Sequence, residues 1–201
     1  MRTVVLTGGT GDLGHIVVPR LASDYQVVVV YRTRDSYDRL VSATGASNVR
    51  GVASIDEVES AYALVHLAGG FAMGSSAQTF SDMFEKNVLV AVRAVEALAQ
   101  KLEHGGRVVA ISSNAALTMP AGLAAYTAAK SALDAFVQTL AKDLAERRIT
   151  ANALLPSAMD SPANQASAQK LVPRANVAEA IAFLLTEAAA NITGQLIELK
   201  A

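Results

Sequence analysis

Seven short apolar runs, each bounded by turn residues, alternate along the chain with longer helical patterns. The runs occupy residues 3–6, 26–31, 48–53, 63–68, 107–112, 149–155 and 195–199, and the helical patterns occupy residues 13–23, 78–103, 126–147 and 177–189. The runs are continuously apolar, which is typical of strands buried on both faces of a parallel sheet. The alternation predicts one doubly wound α/β domain spanning residues 1–201, with seven parallel strands and helices on both faces.

The stretch from residue 87 to residue 99 carries only two charges, Arg93 and Glu96. A helix on one face of a sheet needs an apolar stripe only about 100° wide. The excess favours burial on a second side and predicts a homodimer or homotetramer. The alternative is an alanine-rich helix whose exposed residues are small and neutral, and both interpretations stay open.

Composition narrows the class of protein. Of 201 residues 52% are hydrophobic and 17% charged, which excludes a disordered chain. The net charge of −1 argues against nucleic acid as a partner. The absence of cysteine and the scatter of His15, His66 and His104 argue against a metal site. With no leader pattern and no apolar stretch near 20 residues, we expect a cytoplasmic protein that does not cross a membrane.

A glycine-rich turn joins the first predicted strand to the first predicted helix. Gly9, Gly11 and Gly14 satisfy G-x-G-x-x-G, and the strand-to-helix context is the one that a dinucleotide site requires. Glycines let the backbone approach a pyrophosphate, and the helix start offers free N–H groups and a positive dipole end. The predicted cofactor-binding residues here are Gly8, Gly9, Thr10, Gly11, Asp12, Leu13 and Gly14. The alternative is a tight turn that binds nothing.

The end of the second strand bears on which dinucleotide is bound. An acid at this point would bind the ribose hydroxyls of NAD, but the sequence has Arg32 and Arg34 and no acid at the strand tip. A guanidinium matches a 2′-phosphate, so NADP(H) is the preferred cofactor and NAD(H) is possible. The alternative is that both arginines are solvated and paired with Asp35 or Asp38.

A tyrosine and a lysine four residues apart form the candidate catalytic pair. Tyr126 and Lys130 fall on one face of a predicted helix. A nearby ammonium lowers a tyrosine pKa, which would suit Tyr126 to proton exchange with a carbonyl or alcohol. Ser113 follows a buried strand, where α/β proteins bind ligands, and could hold the substrate oxygen.

These residues resemble the short-chain dehydrogenase/reductase family over nearly the whole chain. Ser113 stands thirteen residues before Tyr126, as the family serine does, and Asn87 matches the family asparagine. The stretches around Asn152 and Pro156 and around residues 192–195 also match. The resemblance implies a Rossmann fold, a nicotinamide cofactor and a small-molecule substrate. It implies that Tyr126 is the acid/base, Lys130 also binds the nicotinamide ribose, Ser113 orients the carbonyl and Asn87 supports a water path. It also implies cofactor contacts at Ala68, Gly69, Gly70, Pro156 and Ser157.

Several departures resemble one branch, the quinonoid dihydropteridine reductases. Asp12 replaces a glycine of the usual turn, His66 and Leu67 replace two asparagines, and Ser157 replaces a glycine. The branch prefers NADH and lacks the family serine, whereas Ser113 is present here. A dihydropteridine reductase-like activity is therefore an alternative to carbonyl reduction. From the residues alone, Asn87 could equally be a packing or helix-kink residue, and a third alternative is a non-catalytic NADP-binding sensor or scaffold.

Two loops should flank the nicotinamide, at residues 70–77 and 156–173. Their predicted substrate-binding residues are Phe71, Met73, Met159 and Leu171. This apolar set, without clustered lysine or arginine, favours a neutral carbonyl or flat heterocycle over a phosphate ester. The alternative is that the four side chains anchor the loops to the core. His66 follows a buried run and is interpreted as a core residue.

Overall fold

The computed structural model describes residues 1–166 and 170–201, and its centre is a seven-stranded parallel sheet. The strands are β1 (Thr3–Thr7), β2 (Gln26–Val30), β3 (Val49–Val52), β4 (Ala61–His66), β5 (Leu102–Ile111), β6 (Thr150–Pro156) and β7 (Leu196–Leu199). Their order is β3-β2-β1-β4-β5-β6-β7, and all six pairings are parallel. The predicted doubly wound architecture is confirmed.

Seven α-helices cover the sheet. They are α1 (Gly14–Ala22), α2 (Arg34–Thr44), α3 (Ala77–Phe84), α4 (Val90–Leu98), α5 (Ala115–Thr118), α6 (Ala124–Asp143) and α7 (Arg174–Leu184). A π-helical turn, Glu85–Leu89, joins α3 to α4. Helices α1, α2 and α7 pack in one apolar cluster, and α4 and α6 pack in another with alternate residues of the same strands. The central strands are therefore buried on both faces, as their continuous apolar runs predicted.

The largest differences from the sequence prediction lie between β4 and β5 and after β2. The helical pattern at 78–103 is α3, a π turn, α4 and a 3-10 turn ending at Lys101, after which β5 begins at Leu102 instead of residue 107. Helix α2 was not predicted, because only Tyr37 and Leu40 of its eleven residues are buried and its apolar stripe is thin. Its start and end were readable: Thr33 caps the first turn, and Gly45 ends the helix with a φ of 61°.

The strand order places the candidate site. β1 lies between β2 and β4, so the chain leaves β1 and β4 in opposite directions and opens a crevice at their carboxyl ends. The glycine-rich turn and the loops that follow β4, β5 and β6 meet at this edge. In the two described stretches, no helix combines the length and the apolar character needed to cross a membrane.

Candidate active site

The glycine-rich turn packs directly against the end of β4. Gly8 has a φ of 73°, and a Cβ placed there would lie 2.4 Å from the Ala68 nitrogen. A Cβ on Gly14 would lie 2.0 Å from the Gly9 carbonyl oxygen. Both contacts are far inside van der Waals distance, so only glycine fits at these two positions.

The start of α1 is open toward the crevice. Its first residue is Gly14, and no side chain caps it at Leu13. A dinucleotide pyrophosphate fits this place, because the glycines leave room for it and an uncapped helix start supplies N–H donors and a positive dipole end. The Asp12 side chain is exposed beside the turn. The turn therefore has the features that the predicted pyrophosphate site requires, together with one negative charge from Asp12.

The two arginines after β2 have different surroundings. Arg34 is exposed and pairs with Asp38 one helical turn later, with 2.9 Å between Nε and Oδ1. This is the solvated pairing that was the alternative to phosphate binding for Arg34. Arg32 is exposed immediately after β2.

Helix α6 and the end of β5 bring the candidate catalytic residues together. The Lys130 ammonium donates to the Ile111 carbonyl at 2.9 Å and lies 5.8 Å from the centre of the Tyr126 ring. Ser113 lies two residues beyond β5, and its hydroxyl is close enough to the Tyr126 phenol to oppose the rise in the pKa of that phenol. The serine, tyrosine and lysine that the spacing singled out thus share one site.

Burial shifts the pKa values of Tyr126 and Lys130. The pKa of Tyr126 is raised, first because the phenol is buried, and the Ser113 hydroxyl opposes the shift. The expectation of a lowered tyrosine pKa is wrong. Burial lowers the pKa of Lys130 to about 8, with Asp134 opposing, and its ammonium points to a carbonyl instead of the phenol. At neutral pH Tyr126 therefore holds its proton.

The Asn87 side chain is hydrogen-bonded to the loop that follows β4. Its amide is fully buried in the π turn, accepts from the Gly70 nitrogen at 3.1 Å and donates to the Gly70 carbonyl at 3.0 Å. A Cβ on Gly69 would lie 2.9 Å from the Asn87 Oδ1 and 3.4 Å from the Lys130 Nζ. The packing interpretation of Asn87 accounts for these contacts, and its role in a water path stays a prediction.

The four predicted substrate-binding residues divide into two pairs. Phe71 is 63% exposed and stands edge-on to Tyr126, with the ring centres 5.1 Å apart, and Met73 is 66% exposed. Met159 packs against the core and pairs with Val172, as the loop-anchoring alternative expected. Leu171 is partly buried on the same loop.

The end of β6 closes the far side of the crevice. Pro156 is buried and its carbonyl accepts from the Asn114 nitrogen at 3.0 Å. Ser157 donates its backbone N–H to the Leu199 carbonyl at 2.9 Å. These bonds fix the point where the chain leaves the sheet toward the second loop.

A family comparison agrees with this geometry. The model described as short chain dehydrogenase matches residues 53–171, more than half of the chain. The chain belongs to the short-chain dehydrogenase/reductase family. This dehydrogenase is an NAD(P)-dependent short-chain oxidoreductase.

Individual relatives extend the comparison. The "Cyclic-di-GMP-binding biofilm dispersal mediator protein" of Escherichia coli K12 is 34% identical over 83% of this chain and 76% of its own. The "3-oxoacyl-[acyl-carrier-protein] reductase MabA" of Mycobacterium avium is 27% identical over 98% of this chain and 87% of its own. A solved structure, "BdcA in complex with NADPH", is 28% identical with a TM-score of 0.87, covering 99% of this chain and 93% of that one.

Sequence reasoning missed one buried group of this dehydrogenase, Asp134, and its interpretation of His66 as a core residue is confirmed. Asp134, one turn after Lys130, is 5% exposed, and burial raises the pKa of its carboxyl against the opposing effects of Ser112 and Lys130. His66 is 2% exposed, and its Nδ1 is hydrogen-bonded to the Thr7 hydroxyl at 2.7 Å. Its Nε2 has no hydrogen-bond partner among the described residues, so only one of the two ring nitrogens of this core histidine is hydrogen-bonded. The polarity of Asp134 was visible in the sequence, but its burial was not.

We expect His66 to make folding sensitive to mild acid. Burial, and then the Lys130 charge, lower the pKa of His66 from 6.5 to about 4. Between these values the unfolded chain takes up a proton that the folded chain refuses, so stability falls as the pH drops from 6.5 to 4. The loss should reach roughly 3 kcal/mol. Urea unfolding of the wild type and the His66→Gln variant at pH 7 and pH 4.5 measures it as the difference in acid sensitivity. The exposed His104→Gln change is the control, and equal acid sensitivity of wild type and His66→Gln would contradict the prediction.

Proposed function

We propose that this dehydrogenase is an NADP(H)-dependent reductase that moves a hydride between the nicotinamide and a small neutral carbonyl or alcohol, with Tyr126 as acid/base. The observation that carries the proposal is the meeting of Ser113, Tyr126 and Lys130 at the carboxyl end of β5. They lie beside a loop that packs on the glycine-rich turn. A proton donor therefore stands next to a dinucleotide site.

The roles of the side chains follow from their surroundings. The bound nicotinamide supplies the hydride. Because burial keeps Tyr126 protonated at neutral pH, its phenol can donate a proton to the substrate oxygen during reduction. The Ser113 hydroxyl, which interacts with that phenol, orients the same oxygen. Lys130, fixed by the Ile111 carbonyl, places its ammonium 5.8 Å from the centre of the Tyr126 ring and would bind the ribose of the cofactor, as the family resemblance implies.

The entrance favours a neutral, apolar substrate. Phe71 and Met73 are both more than 60% exposed, and Phe71 extends the aromatic surface of Tyr126. An apolar or flat group next to the carbonyl would cover these side chains and release water from them.

The cofactor preference depends on Arg32. We expect Arg32→Ala to raise the Kd for NADPH about tenfold and to leave the Kd for NADH within about twofold, because only NADPH carries the 2′-phosphate. Calorimetric titration with each nucleotide measures both constants, and the chain has no tryptophan to serve instead. Arg148→Ala, an exposed arginine at the amino end of β6, is the control. Tighter binding of NADH by the wild type would contradict the NADP preference.

A second candidate is a binding function without turnover. It is favoured by the 34% identity to a protein named for binding cyclic-di-GMP. The same calorimeter can titrate cyclic-di-GMP against the wild type. Binding of cyclic-di-GMP together with no oxidation of NADPH by any carbonyl compound would support this candidate over the reductase.

We also infer that the dehydrogenase is a homodimer or homotetramer. Phe84, at the end of α3, is 36% exposed, and Leu89, in the π turn that follows it, is 43% exposed. Leu89 lies in the stretch 87–99, whose excess of apolar residues predicted a second buried side, and Phe84 lies just before it. A subunit contact over this segment would cover them.

A further inference from the structure

Arg174 joins two loops that are far apart in sequence. It is the first residue of α7, and its side chain is four-fifths buried, with 20% exposed. Its Nη1 donates to the Asp12 carbonyl in the glycine-rich turn at 3.1 Å. Its Nε donates to the Asp160 carboxylate at 3.0 Å, and its backbone N–H donates to the same oxygen at 2.9 Å. This side chain thus links the glycine-rich turn, or cofactor turn (residues 8–14), to the predicted substrate loop (residues 156–173).

The link closes the base of the substrate loop. The Asp160 nitrogen donates to the Val172 carbonyl at 3.0 Å, and the Val172 nitrogen donates to the Ala158 carbonyl at 2.8 Å. Met159 and Val172 pair as an isolated parallel bridge. The loop therefore leaves the sheet and returns at one point, which Arg174 fastens to the turn.

The Arg174 guanidinium adds positive charge next to the glycine-rich turn. Asp12 places a carboxylate where the family pattern has a glycine, beside a turn that must accept a doubly charged pyrophosphate. An arginine bonded to the carbonyl of that same residue offsets the negative charge. A guanidinium has five N–H donors, and among the described residues the Nη2 group of Arg174 has no acceptor. The Arg174 guanidinium, which is paired with Asp160, therefore has an N–H group beside the glycine-rich turn that finds no acceptor in the described part of the chain.

We propose that Arg174 is a cofactor-binding residue: its free Nη2 group donates to the pyrophosphate of the bound dinucleotide, while its other bonds fix the substrate loop to the cofactor turn. The inference rests on the proposed binding of NADPH. It adds a binding residue that lies outside both loops and the glycine motif, and it accounts for the carboxylate that Asp12 brings into the turn.

Calorimetry with two ligands tests this role. NADPH carries the pyrophosphate, whereas adenosine 2′-monophosphate carries the 2′-phosphate alone. Arg174→Gln is expected to raise the Kd for NADPH on the order of tenfold and to leave the Kd for adenosine 2′-monophosphate within about twofold. The dependence of the NADPH Kd on salt should also become shallower, because one cationic contact is lost.

Three variants separate a direct contact from a structural one. Arg174→Lys keeps the charge and should lose about threefold in NADPH affinity, which keeps the test usable if Arg174→Gln does not fold. Asp160→Asn loosens the loop but keeps the guanidinium, so NADPH affinity should fall less than in Arg174→Gln. Arg20→Gln is the matched control, because Arg20 also joins α1 to α7, through Glu179 at 2.8 Å, away from the turn.

The outcomes are distinct. Unchanged NADPH affinity in Arg174→Gln overturns the inference and leaves the proposed function standing. Equal loss for both ligands with an unchanged salt dependence also overturns it, because Arg174 would then only support the fold of the turn. A wild type that binds neither ligand defeats the proposed function, and the inference falls with it.

Discussion

Replacing Tyr126 by phenylalanine is expected to lower kcat by about 10²–10⁴-fold and to leave the Kd for NADPH within about twofold. The change removes one hydroxyl from a side chain whose ring packs against Phe71 at 5.1 Å, and the ring remains. Without the phenol, no proton is held where the reduced oxygen needs one. The measurement is NADPH oxidation with the carbonyl compounds that the wild type reduces, together with calorimetric titration of NADPH.

Tyr25→Phe is the matched control for this loss. Tyr25 donates its hydroxyl to the Leu185 carbonyl at 3.3 Å and stacks on Tyr62, at the amino end of the sheet, away from the crevice. It should keep wild-type kcat. Full activity in Tyr126→Phe would remove Tyr126 from the mechanism. Lost activity together with lost NADPH binding would assign it to cofactor binding instead of proton transfer.

Replacing Gly14 by alanine is expected to destabilise the fold by at least about 3 kcal/mol and to abolish detectable NADPH binding. Helix propensity alone would favour alanine at this position by about 1 kcal/mol. The steric contact outweighs this gain and makes the change destabilising, because the new Cβ would lie 2.0 Å from the Gly9 carbonyl oxygen and 2.4 Å from the Gly9 carbonyl carbon. Relieving it must push α1 away from the turn that holds the pyrophosphate. Urea unfolding and NADPH titration measure the two effects.

Gly45→Ala separates this clash from the general cost of losing a glycine. Gly45 ends α2 with a φ of 61°, and a Cβ there would meet nothing within 4 Å. The change should cost about 1 kcal/mol of stability and leave NADPH affinity unchanged. Comparable losses in Gly14→Ala and Gly45→Ala would contradict the argument from the contact.

Much of the fold could be predicted from local pattern. The apolar runs predicted all seven strands, and the run of residues 48–53, which became β3, was the weakest because that strand is less buried than β1, β4 and β6. Helix α2 was missed, because its burial is confined to Tyr37 and Leu40. The early start of β5 at Leu102 was missed for a related reason: Glu103 and His104 are exposed and polar although they belong to the strand. The periodicity and hydropathy of a sequence indicate which residues are buried. Helices and strands that bury few residues are therefore not detected in this way.

The candidate site was predictable where its chemistry is carried by spacing. Gly8 to Gly14, Ser113, and Tyr126 with Lys130 were all found in this way, since a turn fixes glycines at set offsets and a helix fixes residues four apart on one face. The two apolar loops follow the carboxyl ends of β4 and β6, and their place beside the nicotinamide stays a prediction. Whether Met159 or Phe71 faces solvent was beyond the sequence, because both are apolar and loop residues have no period.

What only the tertiary structure decided is the environment of each charge. By itself the sequence determined a doubly wound sheet, a glycine turn at its first crossover, and a serine, a tyrosine and a lysine at set intervals. In the folded chain the Lys130 ammonium points to the Ile111 carbonyl. Burial of the phenol raises the pKa of Tyr126, whereas the spacing predicted that this pKa would fall. The fold also brought Arg174 to Asp12 across 162 residues. Desolvation and contacts between distant segments set these properties, and neither exists until the chain is packed.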